Sequence, residues 1–296
     1  MLHINKIFIK IFPLILCLIL LFSGCNTTAD EKILPHEFKY SDGITAYGFT
    51  DIGVCKKLTG KVYTLVIFLD DDESSWNEEA RTEFYGKKYF PSINYLSGQA
   101  EKRNIELDLQ SGQYTTRQDL KTQPRYNGKV NSAFVSASNN DILEQTAKTL
   151  GYTNADLMHA MLKYNLEVKQ IAYVIVLNKP GRAYAVYDSV YDNYNALEYV
   201  VAFSENENGQ DYIGSSVLHE LLHLFGAADL YDDKGIYTER YKLCGKLFPN
   251  DIMRRSAISP ESLSIGPLTA CLIGWSENFP AECDCPEWWE RRGDRS

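Results

Sequence analysis

Two stretches of this chain are apolar almost without interruption and rich in β-branched residues: 61–69, KVYTLVIFL, and 170–177, QIAYVIVL. Such runs predict strands buried on both faces. Residues 104–109, NIELDL, alternate apolar and polar and predict a further strand; 182–187, RAYAVY, and 196–203, ALEYVVAF, predict two more. Between them, apolar residues at three- and four-residue spacing predict helices over 141–150 and 156–165, split at Gly151. Ser75-x-x-Glu78 reads as a capping box opening another helix, and Pro91 can begin a helical stretch that runs to Ala100. Strands alternating with helices, followed by a cluster of strands, predict an α+β chain whose N-terminal part is α/β-like.

Directly after that cluster comes 214–229, GSSVLHELLHLFGAAD. Val217, Leu218, Leu221, Leu222, Leu224 and Phe225 can anchor it as a helix in a core. His219 and His223, four apart, share one face of that helix, so both imidazoles can hold one metal ion while Glu220 reaches a water on it. Gly226 lets the chain turn out of the helix, and Asp229 can then swing back as a third ligand. Asp232 and Asp233 are close enough in sequence to compete for that place. Three protein ligands on zinc leave a fourth position open, the arrangement of a catalytic site and not of a structural one. Burying two imidazoles and a carboxylate without a partner is costly, which argues against a merely decorated helix.

Other positions carry less chemistry. His159, alone on its helix, reads as a surface or half-buried side chain and not as a ligand. Asp70, Asp71, Asp72 and Glu73 lack the regular oxygen-ligand spacing of a calcium loop and read as a solvated turn at a strand end. Residues 230–250 show no clear periodicity and read as loop-rich, whereas 264–275 predict a final helix with Pro267 near its start.

The first 24 residues have the form of a secretory signal: Lys6 and Lys10, an apolar run over 11–22, then Ser23 and Gly24 before Cys25. The sequence LFSGC resembles a bacterial lipobox. That resemblance implies cleavage before Cys25, lipid on its thiol, and a place in the cell envelope facing outside the cytoplasm. Removing Lys6 and Lys10 takes the formal charge from −9 to −11, which argues against nucleic acid as a partner and leaves membrane attachment to the lipid. Residues 25–60 read as a tether to a folded domain over 61–296. In an exported chain Cys55, Cys244, Cys271, Cys283 and Cys285 favour disulfides, with at least one cysteine left over.

The pattern His219-Glu220-x-x-His223-x-x-Gly226-x-x-Asp229 resembles the metzincin zinc-protease motif, in the variant with aspartate as third ligand found in the snapalysin-like group. Metzincins place a methionine turn beneath the metal, and Asp251-Ile252-Met253 is the best match, with Met253 in that role. The resemblance implies a mixed five-stranded sheet with an active-site helix over 61–229. It implies a small irregular C-terminal subdomain over 230–296 that ends in a helix. It also implies zinc-dependent hydrolysis of a protein or peptide with Glu220 as general base. Substrate would pair main chain to main chain along an edge strand, for which 182–187 is the candidate. Some members carry a tyrosine two residues after the methionine that binds metal or stabilises the oxyanion. Here that position is Arg255, so the role falls to Tyr231, Tyr237 or Tyr241, or is absent. Two other readings stand beside this one: a surface-binding lipoprotein whose zinc is structural, and a zinc hydrolase of a non-peptide amide.

Overall fold

The computed structural model describes residues 36–39, 45–48, 54–114, 123–131, 140–186, 197–210, 213–231 and 238–283. The signal segment, Cys25, Asp232, Asp233, Tyr237 and Cys285 lie outside these residues. Strands β1 (His36–Lys39) and β2 (Thr45–Gly48) form an antiparallel pair. The main sheet has five strands: β3 (Gly60–Phe68), β4 (Leu107–Tyr114), β5 (Gln170–Pro180), β6 (Tyr184–Val186) and β7 (Tyr199–Glu205). Their order is β4-β3-β5-β7-β6; all neighbours run parallel except β6, which lies antiparallel to β7 at the sheet edge. The chain is thus α+β with a mostly parallel sheet, and among the described residues no helix is long and apolar enough to cross a membrane.

Parallel neighbours need crossovers; helices supply those from β3 to β4 and from β4 to β5, and along the chain β6 lies between β5 and β7. Between β3 and β4 run α1 (Glu78–Glu83), a π-helical turn at Phe84–Tyr89 and α2 (Phe90–Glu101); between β4 and β5 run α3 (Asn140–Thr149) and α4 (Ala155–Leu166). Helix α5 (Ile213–Leu224) follows β7, and α6 (Thr238–Leu247) and α7 (Pro267–Leu272) are the later α-helices among the described residues.

The continuous apolar runs bury both faces, as their pattern predicts. Along β5, Ile171, Tyr173, Ile175 and Leu177 pack with Ile142, Leu143 and Met158 of α3 and α4, whereas Ala172, Val174 and Val176 pack with Ile93 and Leu96 of α2 and Val217 and Leu221 of α5. Each fully buried aliphatic side chain contributes about 1.5–3 kcal/mol. The sheet is therefore held rigidly between two helical layers, and α5 is fixed against one of its faces.

Several details depart from the sequence reading. The cap of α1 is Asn77, whose Oδ1 accepts from Ala80 N at 2.8 Å, and not Ser75. The chain over 71–76 is already committed to a turn, in which Asp70 accepts from Trp76 N. Residues 230–250 contain α6, whose buried Tyr241 and Cys244, with Phe248 just beyond, make a stripe too narrow to register as periodicity. The last helix is only Pro267–Leu272, because Ser264 and Gly266 bond instead to Asn250 and Asp251. The folded body also begins before residue 61: Cys55 and Leu58 are buried, and Trp275 donates to Leu58 O. Cys55 and Cys271 are free buried thiols and not disulfide halves. Cys55 packs as a small hydrophobe whose Sγ donates weakly to Ile171 O at 3.6 Å. His159 is buried, shares a 2.9 Å hydrogen bond with Tyr173, and is pushed by burial down to about 4.

The acidic run after β3 forms a turn in which Asp72 and Glu73 are exposed, as expected, but Asp71 is not solvated. Asp71 is 3% exposed; it accepts from Glu73 N, Ser74 N, Ser74 Oγ and Val130 N, and pairs with Lys179 at 2.5 Å. Burial alone would raise its carboxyl, but the bonds from Lys179 and these donors outweigh it and hold the group below its usual value. A carboxyl lowered in the fold stabilises above the unfolded pKa and loses that contribution as pH falls through the folded value. Asp71→Asn should therefore lower stability by about 2–4 kcal/mol at pH 7, with a gap to the parent that narrows below about pH 4. Urea unfolding at both pH values measures this, and a pH-independent gap contradicts it.

Candidate functional site

Helix α5 presents one face to the core, where Val217, Leu218, Leu221 and Leu222 are fully buried. His219 and His223 lie one turn apart beside that face, 6% and 7% exposed, with ring centroids 4.9 Å apart and planes at 86°. Past Leu224 the helix stops in a Schellman motif: Ala227 N donates to Leu222 O and Gly226 N to His223 O, both at 3.0 Å. This motif needs a residue at positive φ, and Gly226 supplies it at 95°. The same turn brings Ala227 O to within 2.8 Å of His223 Nδ1 and returns the chain so that Asp229 faces the helix it has just left.

Asp229 Oδ1 lies 3.1 Å from Nε2 of both His219 and His223. Each Nδ1 faces a backbone carbonyl, Ile252 O at 2.9 Å for His219 and Ala227 O for His223, and a carbonyl only accepts. Both Nδ1 atoms must then carry the proton, which leaves two Nε2 lone pairs and a carboxylate oxygen converging on one point. Three acceptors in this arrangement are satisfied by a cation, and the ring orientations are already fixed by second partners. His219, His223 and Asp229 are the metal-capable cluster among the described residues. With no metal ion bound, a proton on Nε2 takes the place of the cation, and the neighbouring carboxylates favour it on His219. Burial opposes it, yet Asp229 and Glu220 push His219 up to about 9. Burial would also raise Asp229, but the two histidines, His223 foremost, hold it far below the usual carboxylate range.

Glu220 lies on the adjacent part of α5 and is half-buried; burial pushes its carboxyl above the usual value, partly countered by His219 and His223. Together with His219 it lines a cavity of about 520 Å³. The cavity is bounded by the turn that leads into β6, the loop that precedes α5, and residues 254–256.

The support beneath His219 comes from Asp251, which is fully buried. Its Oδ1 accepts from Met253 N at 2.7 Å, its Oδ2 from Gly266 N at 2.7 Å, and Thr269 Oγ1 donates to it at 3.0 Å. Burial nevertheless pushes this carboxyl up. Gly266 has no side chain because a Cβ there would stand in the space of Asp251 Oδ2. The loop so pinned offers Ile252 O to His219 and Met253 O to Leu230 N at 2.8 Å, next to Asp229, so one carboxylate holds the supports of two site residues. The sequence reading named Asp251 only as a neighbour of Met253. Its Asx turn, with the side chain bonded to the backbone two residues on, is the legible signal. Met253 itself is fully buried.

Of the three tyrosines considered, Tyr231 stands at the site. Its ring centroid is 5.7 Å from that of His219, and its hydroxyl is hydrogen-bonded to Arg182. Tyr241 is buried on α6. No protein-family model matches the chain, and no curated protein is significantly similar to it.

Proposed function

We propose that this chain is a zinc-dependent endopeptidase of metzincin type, held outside the cytoplasm by lipid on Cys25. The observation that carries the proposal is the convergence of His219 Nε2, His223 Nε2 and Asp229 Oδ1, with both Nδ1 atoms already engaged by carbonyls. Zinc favours this nitrogen and oxygen donor set. The antiparallel edge strand β6 and the buried Met253 after Asp229 support the same family.

When bound there, zinc supplies Lewis acidity and lowers the pKa of water in its open position. Glu220, with its carboxyl raised toward neutrality, accepts a proton as the water oxygen attacks the peptide carbonyl, then delivers it to the departing amine. The edge of β6 accepts an extended peptide by main-chain pairing. Arg182 has only donors, so the Tyr231 oxygen accepts from it and the phenolic proton stays available. That proton serves the oxygen on which charge develops. Tyr231→Phe should lower kcat about 10- to 100-fold with KM changed less than about threefold. Steady-state kinetics with zinc content as control measures this, and an unchanged kcat removes Tyr231 from the chemistry.

The cavity against Glu220 and His219 favours an enzyme over a structural zinc site, which would be closed by a fourth protein ligand. Hydrolysis of casein set against small acyl amides tests the substrate class. Cleavage of casein supports the peptidase; cleavage of the amides alone assigns a non-peptide amide hydrolase.

A further inference from the structure

We propose that the cavity beside Glu220 selects a substrate side chain that carries a carboxylate, received by the guanidinium of Arg254. The inference rests on the peptidase reading and extends it to a substrate class. Arg254 and Arg255 follow Met253 directly and line the cavity. Among the described residues neither makes an ion pair, and Arg254 is set apart from the other unpaired cations by its place at this cavity.

Arg254 is the half-buried one of the two; Arg255 is exposed. Its guanidinium lies over Gly245 of α6, where a Cβ would come within 2.9 Å of Nη2, so the glycine leaves it a seat. A planar cation partly withdrawn from water and lacking an anion is complemented by a carboxylate, which it can hold with two parallel hydrogen bonds. Arg182, the third cation at the cavity, is engaged with Tyr231.

Three acids also line the space: Glu205, Glu207 and the half-buried Glu220, which stands beside His219. Glu205 ends β7 and Glu207 lies in the loop that follows it; both are exposed. Charges in bulk water are screened over about 8–10 Å, so they act on a bound side chain less than the half-buried Arg254 does. They also disfavour a carboxylate directed at their own loop, which leaves the wall after Met253 as its place. A cavity of about 520 Å³ has room for a glutamate side chain and its neighbours.

The test uses a set of fluorescent decapeptides that differ only by glutamate, glutamine or lysine at each position in turn. Binding to Glu220→Ala is read by anisotropy, and cleavage is read with the parent enzyme. At one position glutamate should bind and be cleaved about tenfold better than glutamine. Arg254→Gln should abolish that difference and Arg254→Glu should turn it toward lysine, while Arg255→Gln should change it less than about threefold. Equal binding of glutamate and glutamine at every position overturns the proposal, as does retention of the preference in folded Arg254→Glu. Acid-selective binding without any cleavage by the parent sustains the selection and sinks the peptidase reading; cleavage without acid selection does the reverse.

Discussion

Glu220→Ala should lose hydrolysis by on the order of 10³-fold and keep its zinc. The separation follows from the wiring of the site. Both imidazoles are oriented through Nδ1 by Ile252 O and Ala227 O, and Asp229 reaches them without help from Glu220. Removing a carboxylate that takes no part in this arrangement leaves the acceptors in place and removes only the group that moves the proton. Steady-state hydrolysis and zinc content on the same preparation measure both halves. Full activity in Glu220→Ala would assign the chain to a binding function with structural zinc; loss of zinc together with activity would mean that Glu220 is a ligand.

The second large effect is expected at a residue that touches neither metal nor substrate. Asp251→Ala leaves Met253 N, Gly266 N and Thr269 Oγ1 buried without their acceptor, which should cost about 3–5 kcal/mol. A positioning residue must do more than stabilise. Because the loop it pins carries Ile252 O and Met253 O, folded Asp251→Ala should bind zinc about 10- to 100-fold more weakly. Leu143→Ala supplies the control. It empties space in the core on the other side of the sheet, at a cost of about 2–5 kcal/mol, and should leave zinc affinity unchanged. Similar zinc affinities for the two variants, measured by chelator competition on folded protein, would reduce Asp251 to a stabilising role.

These two residues differ in how readable they were. His219, Glu220, His223, Gly226 and Asp229 are legible because a helix period and a glycine turn are local rules, so geometry follows from spacing alone. The strands were legible for the same reason: β3, β5 and β7 bury both faces, and a nearly continuous apolar run has few other uses. Asp251 was not, since its donors come from residues 253, 266 and 269, and no local pattern announces that Gly266 must lack a side chain to admit it. Within the acidic run after β3, Asp71 misled for a related reason, while Asp72 and Glu73 are exposed as expected. Asp71 is buried by Lys179 and Val130, which lie far along the chain, so composition suggested water where the fold supplies partners. Cys55 and Cys271 likewise follow packing and not the expectation from compartment. Arg254 combines both cases: its position after Met253 is plain in the sequence, but its lack of an ion-pair partner and its seat on Gly245 appear only once α6 is in place.

The most direct measurement is the zinc content of folded 26–296, purified, stripped with chelator and reloaded, beside its Asp229→Ala, Asp232→Ala and Asp233→Ala variants. About one tightly held zinc per chain is expected in the parent and in the variants at 232 and 233, and a sharply weakened site at 229. A folded parent that takes up no zinc, or an Asp229→Ala that holds it as firmly, would contradict the assignment of this site.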